Sequence, residues 1–478
     1  MRKLITITLT CIFCIQSNAQ EISDKWDLRK CVEYAVKNNI SIKQADIQAR
    51  ITALQLKQNK LFQYPTTAFG TNGNLQLGRS IDPTTNQYTT SELISQSYSL
   101  QGSMPLYNWG RLKNSIAAAQ LSAQAALADI EKTANDVSLT VANYYLNVLA
   151  AKQQIDIANV QVKQTNSQLD ITKKKVNAGA LPELNQVQLE AQLATDSSNL
   201  ITAQSNYELN ILSLKGALSL DAATPFEVVT PPLDKIPLES LLNLQPDVVY
   251  QLALNTQPLQ KGDSLRIKAA EKTLAANKSA LYPTLSANYA FASAFNNKAL
   301  EPVGSTQILP PIGTVKVGST DYNVFPLNPY TVYSYGKSGY FNQLNNNFSQ
   351  SVGVSLSIPI FSNGQRRIAY EQSKLTLKNI QFQNQQDNLT LKNNIYTSYT
   401  NVVTSLQKYN ASIRAVESAQ KAYDFAQKRY ENGLLSTYDL IVTQNSLTTA
   451  KLQQLANQYD YVFKIKLLEF YRGQGIKL

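Results

Sequence analysis

The chain is written twice, and no other feature constrains its fold more. Residues 104–110 read Met-Pro-Leu-Tyr-Asn-Trp-Gly and residues 358–364 read Ile-Pro-Ile-Phe-Ser-Asn-Gly, an offset of 359 − 105 = 254. Val176-Asn177-Ala178-Gly179-Ala180-Leu181 and Tyr430-Glu431-Asn432-Gly433-Leu434-Leu435 recur at the same offset, 433 − 179 = 254. Upstream, Leu61-Phe62-Gln63-Tyr64-Pro65-Thr66 matches Ser279-Ala280-Leu281-Tyr282-Pro283-Thr284 at 218. The second copy therefore carries 254 − 218 = 36 extra residues between Pro283 and Pro359. Self-similarity at a fixed offset marks a repeated structural unit. Two halves follow, 20–220 and 247–478, joined by a Pro-rich connector over 221–246.

Each half reads as helix, strand pair, long helix, returning helix. Asp27 to Leu61 and Val248 to Leu281 hold few Gly or Pro and read as helices. The Tyr-Pro pairs end them, because a residue before Pro avoids the helical region. The period then becomes two, over strand pairs 66–107 and 284–361: Tyr98, Leu100, Gly102 and Met104 alternate with Ser and Gln, as do Val352, Val354, Leu356 and Ile358 with Ser and Gly. One apolar and one polar face on strands of ~10 residues is the pattern of a membrane-spanning β-strand. The 36 extra residues fall in 296–347, a Pro-, Gly-, Tyr- and Asn-rich stretch expected to be a long external loop. Residues 111–177 and 365–431 carry apolar residues at steps of three and four, through Val141, Val148 and Leu169 and through Ile395 and Val402. Such a stripe is coiled-coil packing, and ~65 residues at 1.5 Å each give a helix of ~100 Å. Gly179 and Gly433 suit left-handed helix ends. The returning helices 182–218 and 436–471 open on Pro182 and on Ser436 as N-cap. Two shorter helices end to end would match each long one, forming a rod attached to the strands.

The chain has no His, which removes the commonest general base and a main metal ligand. Cys11 and Cys14 lie in residues 1–19, where Arg2-Lys3, a short apolar core and Ser17-Asn18-Ala19 make an export signal. Only Cys31 would remain, read as a small buried residue without a redox role. An exported enzyme is therefore disfavoured; neither cofactor nor metal is implied. Net charge is +11, but the basic residues are spread out and only Lys173-Lys174-Lys175 forms a run, so no nucleic-acid partner is expected. No stretch is apolar enough for a membrane helix. Any crossing must be made by strands, and four per chain are too few to close, since membrane barrels start at ~8. Two chains would give a filled barrel and three an open pore.

The signal, the doubled Pro-aromatic/Gly junctions (Pro105…Gly110 and Pro359…Gly364) and the segment Gly433-Leu434-Leu435-Ser436-Thr437-Tyr438-Asp439-Leu440 resemble the outer-membrane efflux channel family typified by TolC. The resemblance implies an α+β membrane protein in which a homotrimer forms a 12-stranded β-barrel continued by a 12-helix periplasmic α-barrel. It further implies the outer membrane of a Gram-negative bacterium as location, with outer-membrane lipids, a periplasmic adaptor and an inner-membrane pump of RND, ABC or MFS type as partners. The chain would be the passive exit duct of tripartite efflux or type I secretion. The competing reading is a periplasmic coiled-coil adaptor without a barrel. By position, Asp439 matches a family carboxylate at the constriction, with Glu183 and Asn185 as weaker counterparts; Val442 and Leu435 replace other gate residues. Gly179, Leu181, Gly433, Leu435 and Ser436 would form the periplasmic tip and adaptor contact. Pro105, Trp109, Gly110, Pro359 and Gly364 would form the barrel–helix junction, its aromatics acting as a membrane girdle or as packing.

Overall fold

The computed structural model describes residues 25–81, 86–229 and 238–473. The expected export signal lies outside the described residues. The first repeat runs β1 (Lys25–Trp26), α1 (Leu28–Asn38), α2 (Ile40–Leu61), β2 (Thr66–Ile81), β3 (Tyr88–Tyr107), α3 (Arg111–Asn177) and α4 (Glu183–Leu218). The connector holds β4 (Glu227–Val228), parallel to β1, and a 3₁₀ turn at Leu241–Leu244. The second repeat begins with α5 (Pro246–Thr256), α6 (Pro258–Ser279) and β5 (Thr284–Asn296). It continues with β6 (Leu300–Ile308), β7 (Gly313–Val317), β8 (Thr320–Val324), β9 (Tyr330–Lys337) and α7 (Tyr340–Asn346). β10 (Ser349–Ser357), α8 (Gln365–Glu431) and α9 (Thr437–Tyr471) complete it.

Three expectations need correction. The helices expected as single spans at 27–61 and 248–281 are each broken, at Asn39 and Gln257, and 257 − 39 = 218 makes the break itself a repeated feature. Pro258 forces Gln257 out of the helical region; at Asn39 the side-chain Oδ1 accepts from the Ser41 N–H at 2.9 Å and competes with the helix. The stretch over 296–347, expected as a loop, is an ordered two-part hairpin, β6 with β9 and β7 with β8, followed by the short α7. Its Tyr-rich alternation supports strands that Pro and Gly composition concealed. Third, the strands are not uniformly ~10 residues: β2 and β3 have 16 and 20, because their ladder continues from Thr66↔Ser103 to Ile81↔Tyr88. β10 stops at Ser357, short of Pro359, which cannot donate to a ladder.

The chain divides into two compact units. One comprises Gln55–Ala119 and Glu271–Leu375 and holds an antiparallel sheet in the order β10-β5-β3-β2, with the hairpin. The other comprises residues up to Leu54, Gln120–Ala270 and from Thr376 onward, and is helical. Two buried cores in the helical unit are copies of one another. Val141, Val148, Ile211 and Leu214 in the first correspond, 254 residues on, to Ile395, Val402, Ile465 and Leu468 in the second. Cys31 and Ala35 correspond at 218 to Val249 and Ala253. Cys31 thus fills a place that Val fills elsewhere, and burial pushes its thiol up to about 12. Tyr145 Oη crosses the first core to donate to the Val229 carbonyl at 2.6 Å. No helix among the described residues is long and apolar enough to cross a membrane.

Candidate functional site

The sheet separates two chemistries by strand alternation. Phe69, Leu100, Phe291 and Val352, Met104, Val354, Leu356 share one face. Thr66, Ser103, Ser286 and Ala68, Gln101, Ala290, Ser351 share the other. Every inner strand is paired on both sides, whereas β10 and β2 each have one unpaired edge. Gly102 lies directly between Thr67 and Tyr289, with the Tyr289 ring across it and its hydroxyl bonded to Thr67 Oγ1.

The junction residues take the same conformation in both repeats. Trp109-Gly110 have φ of 54° and 74°, and Asn363-Gly364 have 50° and 74°, two successive left-handed residues that swing the chain from strand into helix. Pro105 sits at a register shift of β3, and Pro359 follows β10. The Trp109 ring contacts Tyr107 and Tyr282, each with centroids 5.3 Å apart, and Ser279 Oγ donates to the Trp109 carbonyl at 2.9 Å.

The reversals at Gly179 and Gly433, with φ of 72° and 70°, are one motif used twice. Ala180 N–H reaches the Lys175 carbonyl and Gly179 N–H that of Val176; Leu434 and Gly433 do the same to Arg429 and Tyr430. These are Schellman caps. The two ends meet where Lys175 Nζ donates to the Glu431 carbonyl at 3.3 Å and Thr172 Oγ1 meets Tyr430 Oη at 2.7 Å. Leu181 and Leu435 are half-buried; Ser436, Asp439 and Glu183 are exposed and Asn185 is half-exposed. Ser436 Oγ accepts from the Asp439 N–H at 3.1 Å and donates to Asp439 Oδ2 at 2.7 Å, a reciprocal cap that fixes the carboxylate at the helix start. Pro182 offers no side-chain cap to the helix start that carries Glu183 and Asn185.

Sequence reasoning missed what lies behind these tips. The α3 seam is apolar from Val141 to Ala151, then continues as Gln161, Thr165, Gln168 and Thr172, all buried. Thr165 Oγ1 donates to Asp196 Oδ2 at 2.6 Å and accepts from Gln444 Nε2 at 3.0 Å, while Gln168 Nε2 donates to Tyr423 Oη at 2.8 Å. The steps of four, three and four are the signal, carried by polar rather than apolar residues. Thr165→Val is expected to cost about 1–3 kcal/mol by leaving Asp196 and Gln444 short of a partner, read as a lowered unfolding temperature. Beside the seam, α3, α4 and α9 enclose a cleft of about 490 Å³ walled by Gln161, Gln192, Asp196, Asn199, Asn445 and Thr448.

Among known proteins, the family described as outer membrane efflux protein matches residues 32–219 and 249–468. Outer membrane protein TolC of Escherichia coli (strain K12) is 24% identical over 189 residues, a stretch spanning 38% of this chain and 38% of that relative. The solved structure of CusC, a transmembrane channel, superposes with a TM-score of 0.76 at 16% identity, covering 94% of this chain and 92% of CusC. The Campylobacter jejuni CmeC outer membrane channel gives 0.73 at 17% identity, covering 94% and 86%. The α+β fold of a four-stranded sheet with paired long and short helices is theirs.

Proposed function

Because the chain belongs to the outer membrane efflux protein family, and so is an outer-membrane channel reaching into the periplasm, we propose that it serves as the passive exit duct of a tripartite efflux or type I secretion system. An inner-membrane pump of RND, ABC or MFS type supplies the energy, a periplasmic adaptor couples it, and three copies of this chain supply the sealed route. The duct itself performs no catalysis.

The observation that carries this reading is the sheet with two open edges. In hydrocarbon, unpaired N–H and C=O groups cost several kcal/mol each, so β2 of one copy must meet β10 of the next. Twelve strands from three copies leave a pore, whereas eight from two are filled by their own side chains. The apolar face then meets lipid and the Ser-, Asn- and Gln-bearing face meets water. The test is the mass of the detergent-extracted protein. Three chains are expected; a single chain with a closed barrel would sink the proposal. The rival adaptor reading requires a periplasmic fraction free of membrane, and the apolar sheet face speaks against it.

The tips at Gly179, Leu181, Gly433, Leu435 and Ser436 are assigned to adaptor docking, with the amide-walled cleft as adjoining surface. Asp439 is assigned to the constriction, with Glu183 and Asn185 beside it. Three Asp439 carboxylates near one axis attract cations. Asp439→Asn is expected to lower cation selectivity in planar bilayers several-fold, in keeping with charges that act at about 1 kcal/mol each in water, and to weaken block by multivalent cations. Val442, Asn185 and Leu435 carry no charge, so the change is graded. Unchanged selectivity and block would reduce Asp439 to its capping role.

A further inference from the structure

Helices α3, α6 and α8 bring three carboxylates together, two of them on one guanidinium. Arg266 Nη1 donates to Asp263 Oδ1 at 2.8 Å, and Nη2 donates to Asp129 Oδ1. Asp263 is 6% exposed, and its second oxygen, Oδ2, is buried without a hydrogen-bond partner. A further carboxyl acting on Asp263 is that of Asp387 in α8, within hydrogen-bonding reach. Asp387 already accepts from Gln383 Nε2 at 3.1 and 3.2 Å. An ionised Asp263 would therefore set a buried acceptor against another acceptor. Arg266 offsets one charge of three, and Asp129 shares it.

The repeat shows that the scaffold does not need this cluster. At the offset of 218, Asp263 and Arg266 correspond to Ala45 and Gln48 in the first copy; at 254, Asp387 corresponds to Thr133. The first half forms the same helices without a counterpart of Asp263, Arg266 or Asp387.

We propose that Asp263 and Asp387 hold one proton between them, Asp263 Oδ2–H donating to Asp387, and that this proton fastens α6 to α8. One hydrogen then satisfies the orphaned oxygen, removes a buried charge and turns a repulsion into a charge-assisted bond. Burial first, and then the Asp387 charge, push the Asp263 carboxyl above its ordinary value, while Arg266 holds it down. A carboxyl raised on folding contributes stability that is complete below the ordinary carboxylate range and is lost as pH rises through the raised value. The α6–α8 contact is thus firmer in acid and looser in alkali.

Difference infrared spectroscopy of the detergent-extracted protein, titrated between about pH 4 and pH 8, reads the proton directly. A carboxylic-acid C=O band is expected that fades with rising pH, is absent from both Asp263→Asn and Asp387→Asn, and persists in Asp129→Asn. Either amide brings its own N–H in place of the proton. Each variant should accordingly melt higher than the parent at the alkaline end and lose that advantage at the acidic end. Asp387→Asn reads the pair from the other helix if Asp263→Asn fails to fold. A band unaltered in both variants, or a melting difference independent of pH, would overturn the proposal. Neither outcome bears on the duct reading, which stands on chain stoichiometry.

Discussion

Val148→Pro and Val402→Pro are each expected to abolish recovery of assembled channels from the membrane fraction. The two residues are repeat counterparts, 402 − 148 = 254, and both are wholly buried in matching cores. Proline removes the N–H that bonds four residues back and drives its ring into the carbonyl of Tyr144 or Ser398. The cost is ~3 kcal/mol or more per chain, against a total stability of about 5–15 kcal/mol for a typical domain. Lost core contacts add to it, and every copy carries the defect. Assembled mass in detergent and export by cells both check the result. Normal values of both would mean that the three-four stripe is not a packed interface.

Gly102→Val should be nearly as damaging, in the sheet. A Cβ built on Gly102 would overlap Tyr289 Cζ and lie 2.5 Å from the Thr66 carbonyl oxygen. The ring can swing away, but the Thr66 oxygen is backbone, so β2 and β3 must part. Overpacking costs about 1–3 kcal/mol where side chains can yield, and the upper end or more is expected here. Gly102→Ala combined with Tyr289→Ala should restore only part of the folded yield, since the backbone contact persists. Full restoration would assign the whole effect to the ring.

Much of the architecture was legible because duplication checks itself. A stripe through Val141 and Val148 is weak evidence alone, but its recurrence at Ile395 and Val402 leaves little room for chance. The reversals at Gly179 and Gly433 were readable for the same reason, since left-handed ends suit Gly. Three features escaped, each for a physical reason. The breaks at Asn39 and Gln257 are single-residue events inside helical periodicity, although Pro258 announced one of them. The 296–347 hairpin has no counterpart in the first repeat, so nothing cross-checked its strands against its loop-like composition. The seam through Gln161, Thr165, Gln168 and Thr172 keeps helical spacing while abandoning apolar residues, and Thr165 is buried only because Asp196 and Gln444 meet it. Their partnership spans 31 residues in one direction and 279 in the other, beyond any local pattern.

The unpaired rows on β2 and β10 also govern how the pore comes into being. A barrel made from one chain completes itself at a rate indifferent to how many copies surround it. Here the last hydrogen bonds can be supplied only by other molecules, so completion is a collision-limited step whose speed rises with protomer concentration. Until that encounter, each newly exported chain displays two adhesive strand borders and an apolar sheet face, the profile of a species prone to aggregate. Insertion coupled to association is the kinetic demand that such an edge imposes.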